Sequence, residues 1–231
     1  MDFDLILYIA ALASICFALW AQIMVNSTFS KYSRTSSRAG YTAAEVARMI
    51  LDRHGLGAVR IERVRGNLTD HYDPRSNTLR LSETVYDSDS AAAVGVAAHE
   101  AGHAVQHAEK YLPVILRTKL VPALTFASKF TWVVIILGSL FMALDAVLGY
   151  YVLLFGVGLF SVTTLFQLVT LPCEFDASKR AMESLDASGY YSREELAVSR
   201  KVLNAAALTY VAALLVSLLQ LLRLISRLRR R

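Results

Sequence analysis

The run His99-Glu100-Ala101-Gly102-His103 carries two histidines four residues apart, with a glutamate directly after the first. On an α-helix that spacing sets both imidazoles on one face, one turn apart, where they can reach a single zinc ion. Glu100 is rotated off that face but stays close enough to meet a metal-bound water from the side, which is the place of a general base. The plainer reading is a pair of histidines on a solvated helix face. The small, apolar residues from Ala91 to Ala98 argue against a solvated face.

A catalytic zinc takes three protein ligands and keeps one position open for water. His107 continues the four-residue ladder, but it stands two helical turns and more beyond His99, about 12 Å along the axis. Bonds of roughly 2 Å cannot bridge that gap, so His107 reads as a surface or supporting histidine. Glu174, in Pro172-Cys173-Glu174-Phe175-Asp176-Ala177, follows an apolar stretch, and an acid there is costly unless it is paired or used. A zinc ion would supply the compensating charge. A snorkelling surface carboxylate is the other reading, and Asp176 is the rival ligand. His71, Arg180 and Tyr210 are candidates for an oxyanion donor; strand, headgroup and core roles are simpler for them, and none is assigned.

The elements that must position these groups can be read from periodicity. Ser90 opens a helix that runs from Ala91 through Lys110 without a breaker, its small side chains permitting close packing despite Gly95 and Gly102. Thr42 is an N-cap for a helix over residues 43–54, with Glu45 completing a capping box, Val46, Met49 and Ile50 forming its apolar stripe, and Gly55 stopping it. Residues 59–64 and 78–82 alternate apolar and polar side chains, as half-buried strands do. The turn chemistry of Asp73-Pro74-Arg75-Ser76-Asn77 before the second predicts a small antiparallel sheet. Residues 26–40, rich in Ser, Thr, Lys and Arg, read as a linker or membrane-surface segment.

The rest of the chain is strongly apolar. Hydrophobic residues make up 55% of it, high for a soluble globule, so a membrane class is tested first. Residues 5–25 hold no charge and are long enough to cross a bilayer. The acidic Met1-Asp2-Phe3-Asp4 start lacks the basic stretch of a cleaved signal peptide. Residues 130–171 carry one charge, Asp145, with Gly149-Tyr150 just after it, and read as two helices joined by a very tight turn. Residues 205–222 form a fourth apolar stretch that spans the membrane or lies along it, followed by five arginines between Arg223 and Arg231. The net charge of +5 sits beside these stretches, which favours anionic lipid headgroups and excludes nucleic acid as the partner. Cys16 and Cys173 are poorly placed to pair and read as free thiols.

Four stretches together carry a family resemblance: Leu68-Thr69-Asp70-His71-Tyr72-Asp73-Pro74, Ala97-Ala98-His99-Glu100-Ala101-Gly102-His103-Ala104-Val105-Gln106, Glu174-Phe175-Asp176-Ala177-Ser178, and Val202-Leu203-Asn204-Ala205-Ala206-Ala207-Leu208-Thr209-Tyr210. With them the chain resembles, nearly end to end, the neutral zinc metallopeptidases of bacterial membranes, the YugP-like family. The arrangement is also similar to the wider membrane gluzincins, in which a glutamate on a later helix completes the zinc site. That resemblance selects Glu174 over Asp176 as third ligand. Gluzincins of the Ste24 and HtpX type often carry an acid four residues beyond that glutamate, where this chain has Ser178. The resemblance further implies that the strand before the active helix, here residues 77–82, receives the substrate backbone as an added strand.

The expectation is therefore a mainly α membrane protein of about four transmembrane or membrane-associated helices, with a small α+β zincin-like domain of a short β-sheet and the HExxH helix. Its divisions would be an N-terminal membrane helix at 1–25, the zincin-like domain at 26–129, a transmembrane hairpin at 130–171, a third-ligand segment at 172–204, and a C-terminal membrane helix with basic tail at 205–231. The expected activity is peptide-bond hydrolysis, with Zn2+ held by His99, His103 and Glu174 and Glu100 as catalytic base, acting on protein or peptide substrates in a lipid bilayer. A metal-binding membrane scaffold without activity is the alternative, and Glu100, useless to a purely structural zinc site, argues against it. The hairpin crosses and returns, so the histidines and Glu174 share one face of the membrane. Lys31, Arg34, Arg38, Arg117, Lys119, Lys129, Lys179 and Arg180 flank the spans there and favour the cytoplasmic side, although a spanning fourth segment would put its own arginines opposite.

Overall fold

The computed structural model describes residues 3–229. Met1 and Asp2 of the acidic start, and Arg230 and Arg231 of the basic tail, lie outside the described residues. In chain order the elements are α1 (Phe3–Tyr32), α2 (Ala43–Arg53), β1 (Arg60–Val64), β2 (His71–Asp73), β3 (Thr78–Ser82), α3 (Ala91–Ala108), α4 (Leu112–Leu144), α5 (Ala146–Ser188) and α6 (Arg193–Arg229). The protein is mostly helical with one small sheet. The chain divides into two compact units: the first takes Met1–Trp20, Ile115–Leu171 and Thr209–Arg231, the second Ala21–Val114 and Pro172–Leu208.

The first unit is built from apolar helix. Among the described residues, α1, α4, α5 and α6 are each long and apolar enough to cross a membrane. Leu12, Trp132, Ile136, Leu144 and Tyr151 are exposed, as side chains facing lipid would be. The tight turn between α4 and α5 falls at Asp145, and Gly149-Tyr150 already lies inside α5. Asp145 Oδ1 accepts the N–H groups of Val147 and Leu148, capping α5 and satisfying donors that its first turn would otherwise leave open. Gly149 lies inside α5, where the absence of a Cβ lets the Phe141-Met142 backbone of α4 come close.

The second unit holds the sheet. Thr42 caps α2, and its reciprocal bonds with Glu45 form the expected capping box. Val46 and Ile50 from α2 bury against Ala93, Val94, Ala97 and Ala101 of α3, with Leu79 and Leu81 from β3 and Ala181 and Leu185 from α5 in the same core. The strand order is β1-β3-β2. The expectation of a purely antiparallel sheet is corrected here. β1 pairs with β3 in parallel, and β2, not foreseen as a strand, pairs with β3 antiparallel through a hairpin in which Asp73 faces Thr78. The chain between β1 and β2 reverses through Gly66 (φ 116) and Leu68 (φ 52), which carries it past β3 to the far side. As the central strand, β3 is buried on both faces, with Thr78, Leu79, Leu81 and Ser82 all inside, rather than half-buried. β1 pairs along the whole of β3 and β2 covers its other side over Thr78–Arg80, so the open edge of the sheet on that side belongs to β2. The linker expected over 26–40 also starts as helix, because α1 continues to Tyr32. Neither Cys16 nor Cys173 is in a disulfide.

Candidate metal centre

Helix α3 begins at Ser90, whose hydroxyl accepts the N–H of Ala93, and it is made almost entirely of small residues. This lets neighbouring helices come very close. A Cβ built on Gly102 would stand 2.8 Å from the carbonyl oxygen of Ala177 in α5, nearer than carbon and oxygen tolerate. Gly95 plays the same part toward α6: a Cβ there would sit 3.0 Å from the Cβ of Ser199, whose hydroxyl donates to the Ala91 carbonyl at 2.7 Å. Glycine is thus the residue between the two histidines because a second helix's backbone occupies the space of its side chain.

That close approach carries Glu174 to the histidines. Glu174 is 1% exposed. Its Oε2 lies 3.2 Å from His99 Nε2 and 3.4 Å from His103 Nε2. The ligand atoms of His99, His103 and Glu174 all lie within 4.8 Å of one another, and the three form a group that could hold a metal ion. A tetrahedral ion with bonds of about 2.0–2.1 Å requires ligand atoms about 3.3–3.4 Å apart. Two imidazole nitrogens and one carboxylate oxygen fit zinc in donor type, and the two spacings to Glu174 fit it in distance. A buried carboxylate facing two imidazoles is also far less costly than an isolated one.

The outward nitrogen of each imidazole meets a neutral group. His99 Nδ1 is 3.1 Å from the hydroxyl of Ser178, the residue that stands where an acid was expected from the resemblance. His103 Nδ1 is 3.0 Å from Gln106 Oε1. Gln106 is fully buried, and its Nε2 donates to the Cys173 carbonyl and to Asp176 Oδ2, both at 2.8 Å. Gln106 received no role from the sequence, although it stands one turn beyond His103 on the same face.

Glu100 is 8% exposed, and its Oε2 accepts the backbone N–H of Tyr72 in β2 at 3.1 Å. Because that N–H points at Glu100, it points away from β3, and the carbonyl of the same residue faces the same way. His107 does not join the group; its ring lies 5.5 Å from that of Tyr72. Asp176, the rival ligand, accepts from Gln106 and from Arg180 Nε instead. Arg180 is further tied to Glu109 at 2.6 Å, and His71 Nδ1 is 2.9 Å from the Thr69 carbonyl. Behind β2, Asp70 anchors the strand by accepting from the N–H and hydroxyl of Ser82, and burial pushes its carboxyl above the usual carboxylate range.

Four helices fit to cross a membrane, with two histidines and a buried glutamate gathered around one point, define a membrane protein with a candidate metal centre. Residues 7–229 match the family described as "Putative neutral zinc metallopeptidase", and the chain belongs to that family. It is 47% identical over 214 residues to the "Putative membrane protease YugP" of Bacillus subtilis (strain 168), covering 93% of this chain and 92% of that relative. No solved structure matches the chain.

Proposed function

We propose that the protein is a membrane-embedded, zinc-dependent endopeptidase in which His99, His103 and Glu174 hold the metal and Glu100 is the catalytic base. The observation that carries this reading is the position of Glu100. It directly follows His99 in α3, is buried, and has one oxygen on the backbone of the edge strand β2. A structural metal site has no use for such a carboxylate, whereas hydrolysis requires a base at the side of the metal, and this favours an enzyme over an inactive scaffold.

When bound, zinc supplies a Lewis acid that lowers the pKa of water to roughly 7 and polarises the scissile carbonyl. Glu100 takes the proton of the attacking water on its carboxylate and returns it to the departing amine, so no covalent acyl-enzyme forms. The substrate main chain lies along β2, pairing with the outward carbonyl of Tyr72 beside the N–H that holds Glu100, in place of the pairing on residues 77–82 that the family resemblance implies. Backbone pairing makes selection among sequences loose. The basic residues flanking the spans favour a site on the cytoplasmic face of the cell membrane.

The test is Glu100→Gln in purified, zinc-loaded protein. Cleavage of an unstructured peptide should fall by at least a hundredfold, as expected for loss of a general base, while zinc content stays equal to wild type. Cleavage at the wild-type rate would remove Glu100 from the mechanism.

A further inference from the structure

We infer that Gln106 is a positioning residue that fixes which nitrogen of His103 faces the metal and locks α3 to α5 at Glu174. The inference rests on the metal site proposed above, but its argument starts from the hydrogen-bonding capacity of one amide.

A glutamine side chain has two N–H donors on one end and an acceptor oxygen on the other. The end of Gln106 that faces α5 meets two oxygens, the Cys173 carbonyl and Asp176 Oδ2, each at 2.8 Å. Neither of these can donate, so this end must be the NH2 group. The opposite end, facing His103, is then the oxygen Oε1, which can only accept. His103 Nδ1 must therefore carry a proton and donate it to Gln106. Nε2, the atom 3.4 Å from Glu174 Oε2, is then the nitrogen turned toward the metal position. With no exposure and all of its strong bonds made, Gln106 leaves no room for the reversed arrangement, which would bury an amide donor against an N–H and an oxygen against two oxygens.

The same side chain joins two ligands. Oε1 holds the His103 ring in α3, and Nε2 holds the carbonyl of Cys173, the residue directly before Glu174 in α5. The amide thus sets the distance between His103 and Glu174 before any metal arrives. Asp176 is itself steadied by Arg180, and Arg180 by Glu109 at the end of α3, so the clamp closes back on the helix from which it starts.

Two measurements on the full-length protein in detergent test this. In zinc-free wild type, nitrogen-15 NMR of the imidazoles should show His103 protonated on Nδ1, with a proton slow to exchange; a proton on Nε2 instead overturns the assignment. In Gln106→Met, which keeps the length and apolar stem of the side chain, zinc affinity by chelator competition should fall roughly 10- to 100-fold, and the fixed Nδ1 signal should be lost. Affinity within twofold of wild type, in protein whose helical content is unchanged, overturns the clamp. If Gln106→Met fails to fold, the wild-type spectrum still decides. Failure of the metal reading would look different: wild type itself would bind no zinc, while the His103 Nδ1 proton would remain.

Discussion

Gly102→Ala isolates the contact on which the proposed metal centre depends. The added methyl would stand 2.8 Å from the Ala177 carbonyl oxygen. The obstacle is backbone, which cannot rotate aside. Restoring ordinary contact, about 3.4 Å or more, requires α3 and α5 to separate by about 0.6 Å at this point. Overpacking of this kind costs about 1–3 kcal/mol, against about 1 kcal/mol regained by replacing a helical glycine with alanine. Global stability should therefore fall by at most about 2 kcal/mol, and the protein should remain folded. The site is less tolerant. Glu174 Oε2 stands 3.2 and 3.4 Å from the two imidazole nitrogens, already at the edge length of a zinc tetrahedron, and a metal site accepts deviations of only about 0.2 Å. Zinc affinity should fall about tenfold or more. Chelator competition on purified protein measures it, with Gly158→Ala as control, since a Cβ at Gly158 meets nothing within 4 Å. Equal zinc affinity in Gly102→Ala and the control, with no loss of thermal stability, would refute the claim that helix contact at Gly102 sets the ligand geometry.

Glu174→Ala should abolish tight zinc binding while leaving helical content unchanged, read by metal analysis after dialysis and by circular dichroism; full retention of zinc would exclude Glu174 as a ligand. The Asp73 carboxyl is held down to about 2 by bonds from the Ser76 hydroxyl and the Arg75 N–H, with Arg80 beside it. Its folded value lies below its ordinary 3.8, so its contribution to the β2–β3 turn is present above that value and is lost as pH falls through about 2. Amide exchange in the turn, corrected for intrinsic rates, should lose protection over that window, and Asp73→Asn should flatten the dependence. Thr42→Ala removes half of the capping box and should weaken α2 by about 1 kcal/mol, or about fivefold faster local amide exchange; unchanged exchange would show that α2 is held by packing alone.

Local chemistry was legible wherever a residue acts through its own neighbours in the chain. The capping box at Thr42 and Glu45, the N-cap at Ser90 and the one-turn spacing of His99 and His103 all depend on contacts within one helix, and each is found where the residues predict it. The four apolar helices follow from length and composition for the same reason. The pairing of strands was not legible, because a two-residue register or a crossover past β3 leaves the alternation of side chains unchanged. β2, three residues long, is too short to show alternation at all.

The amino-acid sequence by itself determined the one-turn spacing of the two histidines, the glutamate between them and the apolar helices, since helical periodicity alone puts those groups in place. It offered Glu174 and Asp176 as alternatives, and only the family resemblance favoured the first. The tertiary structure brings only Glu174 of the two to the imidazoles. One glycine admits the backbone of α5 against α3, which turns Glu174 inward to the imidazoles and leaves Asp176 for Gln106 and Arg180. Packing between helices distant in sequence makes that choice, because two acids two residues apart on α5 point in different directions and only the neighbouring helix determines which direction is the interior.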